Sequence, residues 1–276
     1  MKWLCALLVV CCAESVAAAS PTTDFLGNDA AATTTGERAS DALLVVGQID
    51  RLRSGIRGGG GSLDWIHVDG DGSTLSGGVA SYSLGDSRWT YGRAVGAWRI
   101  DERLIVEGQA NLGAGHSTAM SFDYRVIGAG IDYRVVPEVW LKGEDKFVDI
   151  GTSRGHLLRI GALLVPTRRV SFDLGYARSV GGNLRSELKS ARVDWLIREA
   201  RLFTGYTRGR SVPDLFGIDV GNGVPNQALR DWFIGFALSF SRWELTGALD
   251  TIDVNASRRR TLTVSIKVPL DRGARL

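Results

Sequence analysis

The chain has 276 residues, a net charge of +3 spread over interspersed acids and bases, 35 glycines, six prolines and three cysteines. That balance gives no case for a nucleic-acid partner. Beyond the first residues no run approaches the ~18 uninterrupted apolar positions of a membrane helix, and helix-period segments are scarce, so a protein that crosses a bilayer by helices is excluded.

Met1-Lys2-Trp3 is a short basic start, followed by an apolar run over residues 4–13 and then by Ala17 and Ala19 in small-x-small spacing. This is the layout of a secretory signal, with cleavage expected after Ala19. Cys5, Cys11 and Cys12 all lie inside it. The mature chain therefore has no disulfide and must hold together by its core or its sheet. Val10 before Cys11 is not the small residue that a lipid-attachment site needs. Residues 20–41 are small and polar, including Ala30-Ala31-Ala32-Thr33-Thr34-Thr35-Gly36. They read as a flexible periplasmic leader.

From residue 42 the dominant signal is alternation. The first hairpin carries the faintest version of it: a strand at 43–52, with Gly58-Gly59-Gly60-Gly61 taken as its turn. At 104–114, Leu104, Val106, Gly108, Ala110 and Leu112 share one face, and Glu107, Gln109 and Asn111 the other. At 122–135, Ile127, Ala129, Ile131 and Tyr133 oppose Asp132 and Arg134; at 139–147, Lys142, Glu144 and Lys146 line one face. Leu158, Ile160, Ala162 and Leu164 enclose Arg159, and Phe172 and Leu174 enclose Asp173. The segment 202–208 fits either phase. Trp232, Ile234, Phe236, Leu238 and Phe240 form one row, and Trp243, Leu245, Gly247 and Leu249 another. The clearest row comes last: Leu262, Val264, Ile266, Val268 and Leu270 against Thr261, Thr263, Ser265 and Lys267. Period two of this kind marks strands with one apolar and one polar face.

Tight connections near Gly70, Asp101, Val136, Thr167, Arg198 and Ser241 recur every ~31–43 residues, the size of a barrel hairpin. Between them fall longer ones, at about 83–87, 113–120, 148–155, 180–185, 209–228 and 251–258. Short turns alternating with longer loops is the periplasmic-versus-extracellular asymmetry of outer-membrane barrels. The expected fold is all-β: an antiparallel transmembrane β-barrel over 42–270 of about 14 strands, 12 being the alternative, with 271–276 as a tail. A soluble sandwich or barrel, apolar faces inward, is the competing architecture.

Trp98, Tyr133, Trp140, Trp195, Phe240 and Trp243 fall close to the short turns, where amphipathic rings form an aromatic girdle at the headgroup level. With the apolar rows facing lipid, Glu107, Asp132, Arg134, Lys142, Glu144, Arg159, Asp173, Arg192, Asp194, Glu244 and Lys267 line the lumen. Both signs are present, so the charges either pair and close the barrel or line a small aqueous path.

Catalytic chemistry finds little footing. His67, His116 and His156 are the only histidines; His116-Ser117 and His156 fall in expected outer loops, where an outer-leaflet lipid hydrolase would carry a Ser and a His. Asp69-Gly70-Asp71-Gly72-Ser73 resembles the start of a calcium loop but lacks the closing acidic ligand, and reads as a turn. Arg258-Arg259-Arg260 is placed in the last outer loop, where it reads first as a solvated loop and second as a contact to anionic lipopolysaccharide. No enzyme, cofactor or metal is expected.

Gly175-Tyr176-Ala177-Arg178-Ser179 with Gly181-Gly182, then Ala191-Arg192-Val193-Asp194-Trp195, then Phe203-Thr204-Gly205-Tyr206-Thr207-Arg208-Gly209, give residues 89–270 a likeness. This part resembles the YaiO-type outer-membrane β-barrel proteins. The resemblance implies an outer-membrane location and a link to surface polysaccharide, and carries no catalytic residues. One departure is that the last strand ends near Leu270 rather than on an aromatic residue. The sequence thus predicts a pore or accessory barrel for envelope transport, with polysaccharide as candidate cargo. A non-transporting structural or surface-interaction barrel is the alternative. Outer-membrane lipid, lipopolysaccharide and the barrel-assembly machinery are its expected partners.

Overall fold

The computed structural model describes residues 40–118, 121–151, 153–211, 227–240, 243–254 and 257–270. The expected signal over 1–19, most of the leader, the tail at 271–276, the heart of the long 209–228 connection and the Ser241 turn lie outside them. The described chain is fourteen strands and no helix. They are β1 (Ser40–Leu52), β2 (Arg57–Val68), β3 (Thr74–Leu84), β4 (Ser87–Arg99), β5 (Leu104–His116), β6 (Ser121–Val136) and β7 (Val139–Ile150), followed by β8 (Ser153–Thr167), β9 (Val170–Val180), β10 (Glu187–Ile197), β11 (Ala200–Ser211), β12 (Gln227–Ser239), β13 (Glu244–Val254) and β14 (Ser257–Leu270).

Each strand pairs antiparallel with its neighbours in sequence, and β1 pairs with β14, so the sheet closes into a barrel. The seam runs in unbroken register from Asp41 opposite Leu270 to Leu52 opposite Arg259. Fourteen, not 12, is the strand number. An even number puts the start of β1 and the end of β14 at the same end of the barrel, together with the six connections that follow the even-numbered strands from β2 to β12.

The alternation decides which side chains face out. Val45, Ile49, Leu112, Ile127, Ile131, Leu158, Ile160, Leu174, Ile234, Leu249, Leu262, Val264 and Ile266 are all exposed on the outer wall. Their immediate neighbours in sequence point inward and are covered, as Ser265 is between Val264 and Ile266. The apolar surface therefore wraps the outside, the reverse of a soluble β-protein.

Four sequence expectations change. Gly58, Gly59, Gly60 and Gly61 are not a turn: they lie in β2, opposite Asp50–Gly47 on β1, and the turn is 53–56. Glycine is used there because β3 comes too close to Gly58 and Gly60, and β1 to Gly59 and Gly61, for a side chain; a Cβ on Gly60 would stand 2.2 Å from the Ser81 carbonyl oxygen and 2.5 Å from the Tyr82 ring. The leader gives way to β1 at Ser40, because Ser40 and Asp41 already pair with Val68 and His67. The loop asymmetry is smaller than expected. Connections at 85–86, 151–152 and 255–256 are as tight as those at 137–138, 168–169 and 198–199, because the strands extend further toward that end. Finally, Arg258, Arg259 and Arg260 belong to β14 rather than to a loop, since they pair with Asp253, Ile252 and Thr251 of β13.

At the end away from the termini, the Thr118 hydroxyl donates to the Asp86 carboxylate, tying two connections together and holding that carboxyl below its ordinary value.

Gly60→Val should lower stability by about 1–3 kcal/mol through overpacking, read as the denaturant midpoint for loss of the folded barrel band on an unboiled gel. Gly47→Val, whose Cβ would meet only the Val264 carbonyl oxygen at 4.0 Å, should change little. Equal tolerance at both positions would return Gly58–Gly61 to a turn.

Candidate functional site: a layered lumen

The inward rows of the strands form two apolar layers and two groups of paired charges. The layer at the end away from the termini is apolar and aromatic. Leu52, Tyr82, Leu84, Trp89, Tyr91, Phe122, Tyr124, Val126, Val148, Ile150, Leu229 and Ile252 form one buried cluster. Its rings stack in sequence, Trp89 on Tyr82 at 6.1 Å between centroids, Tyr82 on Tyr91 at 6.3 Å and Tyr91 on Tyr124 at 4.7 Å.

Leu184 completes this cluster, and it comes from no strand. It sits in the connection between β9 and β10 and is 0 % exposed. The connection is folded back into the mouth by backbone bonds: Asn183 and Leu184 both donate to the Arg154 carbonyl at 2.9 Å, and Arg154 N–H donates to the Asn183 side chain at 2.7 Å. Gly181 and Gly182 make the reversal, with φ of +72° and +58°. At Gly182 a Cβ would also stand 2.0 Å from the Arg154 carbonyl, so position 182 takes only glycine.

Paired charges form two groups, of which the second reaches the level of this cluster, Arg259 standing opposite Leu52 and Ile252. One spans β6 to β9: Lys142 Nζ is 3.7 Å from Asp132 and 3.5 Å from Asp173, Arg159 reaches Asp173 at 3.3 Å, and Lys146 meets Glu144 at 2.9 Å. The other lies on β14, β1, β2 and β4. The Asp50 carboxylate accepts from Arg259 at 2.8 Å, from the Thr261 hydroxyl at 2.7 Å and from Gln48 at 3.0 Å. Arg93 clamps Asp64 with both its Nε and Nη2, and donates to Ser62 at 3.0 Å. Buried ions of this kind are tolerated only when paired and hydrogen-bonded.

The layer nearest the termini is apolar again. Val95, Ala97, Ile105, Trp140 and Leu163 cluster on one wall, and Ala42, Leu44, Ile66 and Val68 on the other.

All eleven lumen candidates occupy inward positions: Glu107, Asp132, Arg134, Lys142, Glu144, Arg159, Asp173, Arg192, Asp194, Glu244 and Lys267. The structure joins Asp132, Lys142, Arg159 and Asp173 into one network and pairs Arg192 with Asp194. Glu244 and Lys267 stand opposite each other on β13 and β14. Arg134 is turned toward its own turn, donating to the Pro137 carbonyl at 3.0 Å.

Asp50, Asp64, Arg93 and Arg259 were missed. Asp64 shares its phase with Ser62, and Arg93 with Tyr91 and Val95, so each was a charge inside a period-two run. Arg259 was hidden by Arg258 and Arg260, which made the three look like a solvated loop.

Of the girdle candidates, Trp98, Tyr133, Trp195, Phe240 and Trp243 are exposed near the termini end. Trp140 is a correction: it is 5 % exposed and lies inside, in phase with Lys142 and Glu144, with the Arg134 guanidinium 5.7 Å from its ring centre.

The histidines are apart from one another. His67 bonds Asp41 at 2.8 Å and Asp69 at 3.0 Å, His156 bonds Asp145 at 3.1 Å, and His116 is exposed at the end of β5. Among the described residues no group of His, Cys, Asp and Glu side chains could hold a metal ion.

No family model matches the chain, and no curated protein does. Solved structures do. The CymD monoaromatic hydrocarbon channel superposes with a TM-score of 0.61 at 11 % identity, over 88 % of this chain and 91 % of CymD. The Pseudomonas putida toluene transporter TodX superposes with a TM-score of 0.55 at 10 % identity, over 91 % and 92 %. The fold is the closed antiparallel barrel of outer-membrane channels.

Lys142→Met should destabilise the barrel by about 3–5 kcal/mol, because Asp132 would lose its ion-pair partner while buried, and Asp173 would keep only Arg159. Adding Asp132→Asn should restore part of that loss in the same denaturation assay.

Proposed function

We propose that the protein is an outer-membrane channel for small molecules, closed at its outer mouth by the β9–β10 connection. Support for the membrane comes from the apolar outer wall, the aromatic rings at the termini end and the export signal. Assembly would follow the barrel-assembly machinery, with the termini in the periplasm.

The observation that carries the channel reading is Leu184. Side chains fixed on the strands could fill a purely structural barrel. Here one member of the buried mouth cluster, Leu184, sits on a connection, which can withdraw without breaking the wall. The cluster around it is aromatic and aliphatic, so the molecule best seated there has a small apolar ring. CymD and TodX are named for cargo of that class. Polysaccharide, implied by the YaiO-type resemblance, is the second cargo, and the stacked Tyr91 and Tyr124 rings would suit a sugar ring too.

Planar-bilayer recording tests the reading. The wild-type chain should open in brief steps. Leu184→Ser removes about 2 kcal/mol of apolar burial, so the open fraction should rise roughly thirtyfold. Silence in both would make this a non-transporting barrel. Swelling of vesicles in a small aromatic solute, against none in an oligosaccharide, would choose between the cargoes.

A further inference from the structure

The outer wall carries an arrangement that costs stability as it stands. Lys189 on β10 is directly opposite Arg208 on β11, and Arg208 is directly opposite Arg230 on β12. Across the seam, Arg260 on β14 is opposite Arg51 on β1, and Arg51 is opposite Arg57 on β2. All six are exposed and point outward. Directly opposed residues stand about 5 Å apart, and like charges so placed repel. Among the described residues, the carboxylate between the two rows is Asp253, opposite Arg230 and Arg258. Its hydrogen bonds go to Arg258, which donates to it at 2.6 and 3.0 Å, and its longer-range attraction reaches only one end of each row, Arg230 and Arg260.

Both rows sit at the edge of the apolar wall. Two residues toward the termini, Tyr206 and Trp232 face each other beneath the first row, and Ile49 and Leu262 beneath the second; all four are exposed. A cation row immediately above apolar and aromatic surface is the height of a lipid headgroup, with Tyr and Trp at the interface.

We infer that these two rows are seats for the phosphates of an anionic glycolipid of the outer leaflet, its acyl chains lying on the wall below. The inference rests on the outer-membrane reading above. Guanidinium groups suit it because they donate to phosphate oxygens in pairs, and a phosphate between two opposed cations turns repulsion into attraction. A zwitterionic lipid brings its own cation and would not relieve the row.

The test uses the full-length mature chain refolded into phosphatidylcholine vesicles, alone, with diphosphorylated lipid A, or with lipid A stripped of phosphate. Thermal loss of the faster-migrating unboiled band reports stability. For the wild type the transition should rise only with the phosphorylated lipid. In K189Q/R208Q/R230Q the lipid A needed for half that rise should increase roughly a hundredfold, while in phosphatidylcholine alone the variant should unfold no earlier than wild type, its repulsion being gone. R51Q/R57Q/R260Q should behave likewise and serves if the first variant does not fold. An equal rise in wild type and variants, or a rise with dephosphorylated lipid A, would overturn the inference. A chain that gives no faster-migrating band in any vesicle would instead overturn the membrane reading.

Discussion

Everything in this structure depends on the hydrogen-bonded seam between β1 and β14. Without it, two strands would each present a row of unpaired N–H and C=O groups, and in hydrocarbon each such group costs several kcal/mol. With it, the sheet has no edge, and twelve consecutive residues of β1 are matched without a slip. The seam is reinforced from inside: Asp50 on β1 holds Arg259 and Thr261 on β14. A one-residue shift in the seam would place Arg259 in the outer wall and Leu262 in the lumen.

Closure forces a division of labour between alternate residues. The outward set is constrained only to be apolar through the middle and polar at the ends. The inward set must fill a ring of fourteen strands, and it does so with stacked aromatics at one end, aliphatic groups and Trp140 at the other, and two groups of paired ions, one of which reaches up to Leu52 and Ile252. The paired ions fix which lumen side chains can meet, because an ion displaced upward or downward would lose its partners. The loop carrying Leu184 is the exception to this wall-built order, and the functional argument turns on it.

The strands were legible because the physics that makes them leaves a mark at every second residue. Leu262, Val264 and Ile266 could face only one way once Thr261 and Ser265 faced the other. The inward charges Asp132, Lys142, Arg159 and Asp173 were readable for the same reason, although their joining into one network depends on neighbouring strands and left no local trace. Sequence reading failed where composition mimicked a loop. Gly58–Gly61 looks like a turn until β1 and β3 are known to press on it, and Arg258–Arg260 looks solvated until Asp50 is known to bond Arg259. Trp140 was read by its closeness to a turn, when its phase with Lys142 already placed it inside. The burial of Leu184 left no signal, because a single leucine in a Gly-rich connection has no periodicity to reveal its direction.

The claim beneath all of this is that the apolar rows of the strands face lipid and the polar rows the lumen. It is tested most directly on β14, by placing an environment-sensitive fluorophore on a single cysteine at Val264 or at Ser265, in a chain produced from Ser20 onward so that the native cysteines Cys5, Cys11 and Cys12 are left out, in vesicles whose acyl chains carry a brominated quencher. Strong quenching at 264 with little at 265 is the predicted result. Quenching at 265 and not at 264, or at neither, would contradict the account and turn the barrel inside out.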